Sequence, residues 1–227
     1  MNATVHSQTT MRHREASIPA DDVALAADLS VPAGPTGTVV FAHGSGSSRL
    51  SPRNVQVARV LNEAGLATLL FDLLTEQEAL DRANVFDIPL LAERLLAATR
   101  WVRAQPETEG LPVGYFGAST GAAAALWAAG EFGADARAIV SRGGRPDLAE
   151  PRLGLVRAPT LLIVGGADEV VLELNRGALA DLRSCEHELA VVPGATHLFE
   201  EPGALERVAE LAGEWLVRHL SARETAA

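Results

Sequence analysis

The chain has 227 residues, of which 48% are hydrophobic and 21% charged, and its formal net charge is −10 at pH 7. This is enough apolar sequence for one domain with a sizeable core, so we interpret 1–227 as a single domain with loose ends at 1–10 and 221–227. The negative charge argues against nucleic acids and anionic membranes as partners. No apolar run has membrane-spanning length and no signal-peptide pattern precedes the domain, which predicts a cytoplasmic location.

Two residue types are informative because they are scarce. Cys185 is the single cysteine, which excludes an intramolecular disulfide and a metal site built from cysteines. All 19 basic residues are arginine. Without lysine, the chain cannot form a Schiff base, a Walker-type phosphate loop or a Ser–Lys dyad. A nucleophilic serine would therefore need a histidine as its base.

Strand and helix patterns alternate along the chain after an N-terminal hairpin. This alternation predicts an α/β fold: a mostly parallel twisted sheet with helices on both faces and no cap domain. The predicted strands are 11–18, 23–31, 38–42, 66–71, the run before Gly117, 136–140, 160–164 and 188–192. The predicted helices are 51–64, 88–104, 122–129, 172–182 and 204–220, and 73–87 is predicted to be a loop with a helical turn.

The pattern G-x-S-x-G occurs between a predicted strand and a predicted alanine-rich helix, with Ser119 at its centre. In that context it indicates a nucleophile elbow, a tight turn that exposes the serine hydroxyl. Gly117 and Gly121 lack a Cβ atom, so strand and helix can approach closely around the turn. The alternative interpretation is that Ser119 is only a helix N-cap.

Two further reactive side chains follow predicted strands. Asp168 comes after Gly165-Gly166-Ala167, and His197 after Pro193-Gly194-Ala195-Thr196. The carboxyl ends of parallel strands share one edge of a sheet, so both should lie near Ser119. Histidine exchanges a proton near neutral pH, so His197 can act as the base, and Asp168 would orient it. Alternatives to these assignments are Glu169, Asp72 and Asp147 for the acid and the other five histidines, His43 among them, for the base; we expect His219 to lie at the surface.

The glycine-rich loop that starts at His43 supplies candidate donors for an oxyanion hole. We expect the backbone N–H groups of Ser45 and Thr120 to fill this role, with Gly46 as the alternative to Ser45. His43 would brace the loop or contact the substrate. A dinucleotide site is disfavoured because Arg49 stands where the third glycine of that fingerprint should be.

Two arginines, Arg142 and Arg145, follow the predicted strand 136–140 beside two glycines. The planar guanidinium suits carboxylates, so one of them could contact an anionic substrate or brace the acid loop. A surface salt bridge with the acidic residues nearby is the competing interpretation.

Four motifs in this order resemble the α/β-hydrolase superfamily: His43-Gly44-Ser45-Gly46, Gly117-Ala118-Ser119-Thr120-Gly121, Gly166-Ala167-Asp168 and Gly194-Ala195-Thr196-His197-Leu198-Phe199. The compact length, without a cap, resembles the dienelactone hydrolase-like branch, and the match spans about 38–220. The resemblance implies a sheet of eight strands with one antiparallel strand in the N-terminal hairpin. It also implies a hydrolase of esters or lactones without metal or cofactor. Ser119 replaces the cysteine nucleophile of true dienelactone hydrolases.

The sequence therefore predicts a serine hydrolase that cleaves small carboxylic esters or lactones through an acyl-enzyme. The alternatives are another acyl transfer on the same residues (thioesterase, peptidase or perhydrolase) and a binding protein of this fold without catalysis. The expected partners are a small-molecule ester and, in a homodimer, a second copy of the chain.

Overall fold

The computed structural model describes residues 11–131 and 136–221. The predicted loose ends, 1–10 and 221–227, lie outside the described residues except for Ser221, and His6 lies outside them as well. Within the described residues there are eight strands: β1 (Arg12–Ala20), β2 (Val23–Val31), β3 (Gly37–Ala42), β4 (Leu66–Phe71), β5 (Val113–Ala118), β6 (Ala136–Arg142), β7 (Thr160–Gly165) and β8 (His187–Val192). The helices are α1 (Pro52–Glu63), α2 (Arg82–Val85), α3 (Ile88–Arg103), α4 (Thr120–Glu131), α5 (Glu150–Leu153), α6 (Glu169–Leu179) and α7 (Ala204–Leu220).

The strands form one sheet in the order β1-β2-β4-β3-β5-β6-β7-β8. β2 pairs antiparallel with both β1 and β4, and the pairs from β4 to β8 are parallel, so β2 alone runs against the others. The predicted mostly parallel α/β sheet with an antiparallel N-terminal hairpin is confirmed. The parallel strands place their carboxyl ends at one edge, and this edge carries the candidate site.

Alternate residues of the central strands pack into different layers. Val39 and Phe41 join a buried cluster with α1 and α7, whereas Val40 and Ala42 join a second cluster with α3 and α4. Because both faces are covered, β3 is buried along its whole length, which explains its unbroken apolar sequence. Two packed layers thus hold the strand ends in fixed positions.

Several features differ from the sequence predictions. β6 continues through Arg142 instead of ending at Val140, because Ser141 and Arg142 still pair with β7. α6 begins at Glu169 rather than at Leu172. His219 is mostly buried instead of lying at the surface: its side chain is 11% exposed, and its ring lies 4.6 Å from that of Trp215.

The segment that follows β4 is more regular than predicted. It contains a turn of 3₁₀-helix (Glu78–Leu80) and then α2. Among the described helices, none combines the length and the apolar character that crossing a bilayer requires.

Candidate active site

Ser119 lies between β5 and α4 in a sharp turn. Its φ angle is +51°, in the left-handed region that non-glycine residues rarely adopt, so the turn is strained. The two flanking glycines make this turn possible. A Cβ atom at Gly117 would lie 2.4 Å from the Cα of Ala122, and one at Gly121 would lie 2.2 Å from the carbonyl oxygen of Ala42. The backbone geometry is that of the predicted elbow.

Backbone hydrogen bonds hold the strained turn. The N–H of Ser119 donates to the carbonyl of Arg142 at 3.1 Å. The carbonyl of Ser119 accepts from Ala122 at 3.1 Å and from Arg145 at 3.3 Å. The segment after β6 therefore fixes the position of Ser119, a role the sequence did not reveal.

His197 and Asp168 form a close pair. The Nδ1 of His197 lies 2.6 Å from the Oδ2 of Asp168, and the two side chains are 39% and 15% exposed. Asp168 stands at the N-cap position of α6, but its side chain makes no capping hydrogen bond. Its carboxylate is turned toward His197 instead, so capping of α6 does not account for an aspartate at this position.

Gly143 connects this pair to Ser119. A Cβ atom at Gly143 would lie 3.4 Å from both Cε1 and Nδ1 of His197, so the imidazole packs on this residue. Gly143 directly follows Arg142, whose carbonyl receives the N–H of Ser119. The described residues contain no hydrogen bond from the Ser119 hydroxyl to the imidazole, a bond that is often long before substrate binds. The pair of glycines that follows β6 was the sequence feature that could have indicated the contact between this segment and the imidazole.

The loop after β3 approaches Ser119 from the other side. A Cβ atom at Gly44 would lie 3.1 Å from the Cβ of Ser119. Within 11–131 and 136–221, the backbone N–H groups of Ser45 and Thr120 have no protein acceptor. Gly46 adopts a φ of +69° in the same loop. Two open donors therefore lie beside the serine.

His43 is part of the framework of this loop. Its Nε2 accepts the N–H of Leu73 at 3.0 Å, so its Nδ1 carries the proton and donates to the carbonyl of Gly44 at 2.9 Å. Burial lowers the pKa of His43, although the Gly44 carbonyl and Asp72 oppose the shift. Both ring nitrogens are occupied, so the geometry suits a brace rather than a base.

A cavity of about 560 Å³ lies between this loop and the segment after β4. Ser45 and Thr120 contribute to its wall, and Leu73, Leu74 and Leu91 contribute apolar surface. A larger cavity of about 930 Å³ opens at the amino ends of β6 and β7, at the opposite edge of the sheet. The smaller cavity is the one whose wall includes Thr120, the residue that follows Ser119.

The two predicted arginines have different surroundings. Arg145 pairs with Asp147 through two hydrogen bonds of 2.8 and 2.7 Å. Arg142 is buried at the end of β6, with its guanidinium 5.9 Å from the ring centre of Phe199. Burial, with the nearby Arg53, lowers the pKa of Arg142 to about 10.

Two contributors to the site were not found from the sequence. Phe199 has a φ of +56° and is almost fully buried in the loop that carries His197. Asn175 of α6 donates to the carbonyl of Gly144 and so supports the segment after β6. Phe199 ends the fourth sequence motif, which gave it no role, and nothing local in the sequence marks Asn175. Among the described residues, no three His, Cys, Asp or Glu side chains are grouped so that they could hold a metal ion.

Comparison with known proteins gives matches over most of the chain. The model of the dienelactone hydrolase family matches residues 25–220. Two proteins from strains of Mycobacterium tuberculosis, both named "Putative phosphoribosyl transferase", are 62% identical over 210 residues. The match covers 92% of this chain and 47% of each relative, so the chain spans about half the length of the curated relatives it matches.

Solved structures show the same architecture. A dienelactone hydrolase from Anabaena variabilis is 54% identical, with a TM-score of 0.89 and coverage of 92% of this chain and 99% of that one. A lidless α/β serine hydrolase from Xanthomonas campestris is 22% identical, with a TM-score of 0.76 and coverage of 93% and 96%, which is a likeness of fold alone. With the family match and the elbow geometry, the chain belongs to the dienelactone hydrolase family and has the α/β-hydrolase fold.

Proposed function

We propose that the protein is a serine hydrolase that cleaves carboxylic esters or lactones of small molecules. The observation that carries this proposal is the 2.6 Å contact between His197 and Asp168, with the imidazole packed on the segment that holds Ser119. A protein that only bound a ligand would need neither the strained serine nor the oriented histidine.

The proposed reaction begins with the Ser119 hydroxyl. Its oxygen attacks the ester carbonyl while Nε2 of His197 accepts the hydroxyl proton. Asp168 holds the proton of the imidazole on Nδ1, which leaves the lone pair of Nε2 available for this transfer. The negative oxygen of the tetrahedral intermediate lies between the N–H groups of Ser45 and Thr120.

The second half of the reaction restores the enzyme. The intermediate collapses when the bond from carbon to the leaving oxygen breaks, and His197 gives its proton to the departing alcohol. A water molecule then attacks the acyl-serine, with its proton taken by His197. The acid leaves, and Ser119 regains its hydroxyl proton.

The size of the adjoining cavity supports small substrates. Its volume of about 560 Å³ lies in the lower half of the range for ligand pockets, and the segment after β4 closes one side. We therefore expect short acyl groups to be preferred. A series of p-nitrophenyl esters of increasing acyl length tests this, and a rise in kcat/KM beyond about eight carbons would contradict it.

The name of the Mycobacterium tuberculosis relatives describes a different chemistry, the transfer of a phosphoribosyl group. This chain corresponds to 47% of each relative. We propose that hydrolysis belongs to the part that matches this chain and that any phosphoribosyl transfer belongs to the rest of those proteins.

The test combines covalent labelling and turnover. A fluorophosphonate probe should label the wild-type protein and a Ser47→Ala control, but not Ser119→Ala, and Ser119→Ala should lower kcat on p-nitrophenyl acetate at least 10⁴-fold. A parallel panel of a thioester, a peptide and hydrogen peroxide with acetate separates the other acyl transfers. A wild-type protein that neither reacts with the probe nor turns over any member would refute catalysis.

A further inference from the structure

Arg142 is a buried cation to which the protein offers no anion. The residue is 7% exposed, and its Nε is fully enclosed without an acceptor. None of its nitrogens forms a hydrogen bond or an ion pair within the described residues. The two terminal nitrogens of the guanidinium are not fully enclosed, so they keep solvent-accessible surface.

Other partly buried arginines in the molecule do have carboxylate partners. Arg94, with its side chain 9% exposed, lies 3.0 Å from a Glu78 oxygen. Arg49 lies 2.8 Å from Asp72, and Arg145 lies 2.7 Å from Asp147. The chain has 29 acidic and 19 basic residues, so acidic partners are not scarce.

The surroundings of Arg142 add positive rather than negative charge. Arg53 of α1 lies close enough to lower the pKa of Arg142 further, after the larger effect of burial. Arg53 is itself 3.3 Å from Glu200, so that carboxylate is already engaged. At neutral pH Arg142 stays protonated, because its pKa of about 10 is still well above the solution pH.

The position of Arg142 relates this charge to the candidate reaction. Its carbonyl holds the N–H of Ser119, its neighbour Gly143 contacts the imidazole of His197, and its guanidinium packs against Phe199 of the same loop. Burying a charge without a partner lowers the stability of a protein. Keeping such a charge therefore benefits the protein only if an anion can bind to it. An anion that pairs with the guanidinium would lie next to the loop that carries His197.

We infer that Arg142 determines substrate choice by binding an oxyanion, a carboxylate or a phosphate, that the ester substrate carries near its scissile bond. This inference rests on the proposed hydrolase function. Guanidinium groups bind both oxyanions through paired, charge-assisted hydrogen bonds. Binding would also lower the cost of burying the charge, so the anionic substrate gains affinity that a neutral ester of the same shape lacks.

The test uses esters that differ only in charge. On the alcohol side, 4-acetoxybenzoate and 4-acetoxyphenyl phosphate are compared with methyl 4-acetoxybenzoate. On the acyl side, the mono-4-nitrophenyl ester of adipate is compared with 4-nitrophenyl hexanoate. The wild-type protein should prefer at least one anionic ester over its neutral partner by tenfold or more in kcat/KM, and the preferred ester identifies the oxyanion and the side on which it lies.

Variants then assign the preference to Arg142. Arg142→Met should reduce this preference, measured as the ratio of kcat/KM on the anionic ester to kcat/KM on its neutral partner, about 10- to 100-fold. Arg142→Lys should keep part of the preference, and Arg145→Met, which removes an arginine already paired with Asp147, should keep all of it. An equal loss on charged and neutral esters would overturn the inference, because it would show that Arg142 only supports Phe199 and the loop of His197. A wild-type preference for neutral esters would overturn it as well.

A binding measurement separates this inference from the proposed function. Millimolar 4-acetoxybenzoate or 4-acetoxyphenyl phosphate should raise the Tm of Ser119→Ala protein, and Arg142→Lys or Arg142→Met in that background should abolish or reduce the shift. This result is independent of turnover, so it would stand even if no ester were hydrolysed. A shift that is unchanged in both Arg142 variants would refute the role of Arg142 toward substrate. If Arg142→Met does not fold, the comparison of wild type with Arg142→Lys decides.

Discussion

The two sides of the candidate site differ in how their charged and polar groups are satisfied. On the side of His43, both ring nitrogens are bonded, and Arg49 contacts Asp72. On the side of His197, Nε2 of the imidazole and the whole guanidinium of Arg142 have no partner within the described residues. Groups that the protein pairs internally serve the fold, and groups it leaves open are available to a ligand.

This contrast follows from the cost of burial. A buried polar group without a partner lowers stability, so a side chain whose role is structural acquires one. Substitutions on the open side should therefore alter rates and leave stability nearly unchanged. Substitutions among the paired groups other than His197 and Asp168 should lower stability and leave the activity of the folded protein intact. The following predictions test this division.

The largest expected effect is on the open side, at Asp168. Asp168→Asn retains the shape of the side chain but holds the imidazole in the wrong tautomer, and we expect kcat to fall about 10⁴-fold. The free energy of unfolding should change by less than about 1 kcal/mol, since the pair is partly exposed. Steady-state kinetics and urea denaturation check both values. The adjacent Glu169→Gln is the control. A comparable loss of kcat in that variant would indicate that Glu169, rather than Asp168, orients the histidine.

The next effect concerns the paired side, at Arg94. Arg94→Met removes the partner of Glu78 and the donor to the Ala20 carbonyl, leaving polar groups without compensation. We expect the free energy of unfolding to fall by about 3 kcal/mol, with the kcat of the folded protein unchanged. Arg100→Met on the exposed face of α3 should stay within about 0.5 kcal/mol. Denaturant unfolding measures the difference in the free energy of unfolding between the two variants. A loss of kcat without a loss of stability in Arg94→Met would contradict the proposed distinction between paired and open groups.

The smallest effect is the pH dependence that His43 contributes. Its folded pKa is lowered chiefly by burial, so the unfolded chain binds the proton more readily. The associated stability is complete above the unfolded pKa of about 6.5 and is lost as the pH falls toward the folded value. Between pH 7.5 and 5.5, His43→Gln should therefore show a flatter change of Tm than the wild type. His13→Gln, at an exposed histidine, should follow the wild-type slope, and an unaltered slope in His43→Gln would contradict the account.

The sequence was sufficient for the sheet, the elbow and the approach of Asp168 to His197, because these depend on local patterns and on the shared edge of parallel strands. It was insufficient for Arg142. Whether an arginine pairs with a carboxylate depends on residues distant along the chain, and two arginines three positions apart were indistinguishable before their surroundings were known. The burial of His219 was missed for the same reason, since its contact with Glu186 joins two segments that are distant along the chain.

The carboxylate of Asp168 has a consequence for the motion of α6. An aspartate at this position usually bonds an amide of the first helical turn and stabilises it by about 1 kcal/mol. Here the carboxylate faces His197, so that turn lacks its side-chain acceptor. Amide hydrogen exchange should thus be faster at the start of α6 than at the start of α3, where Asp87 does bond the amide of Leu90. Faster exchange at this helix end would be a direct result of the contact between the Asp168 carboxylate and His197.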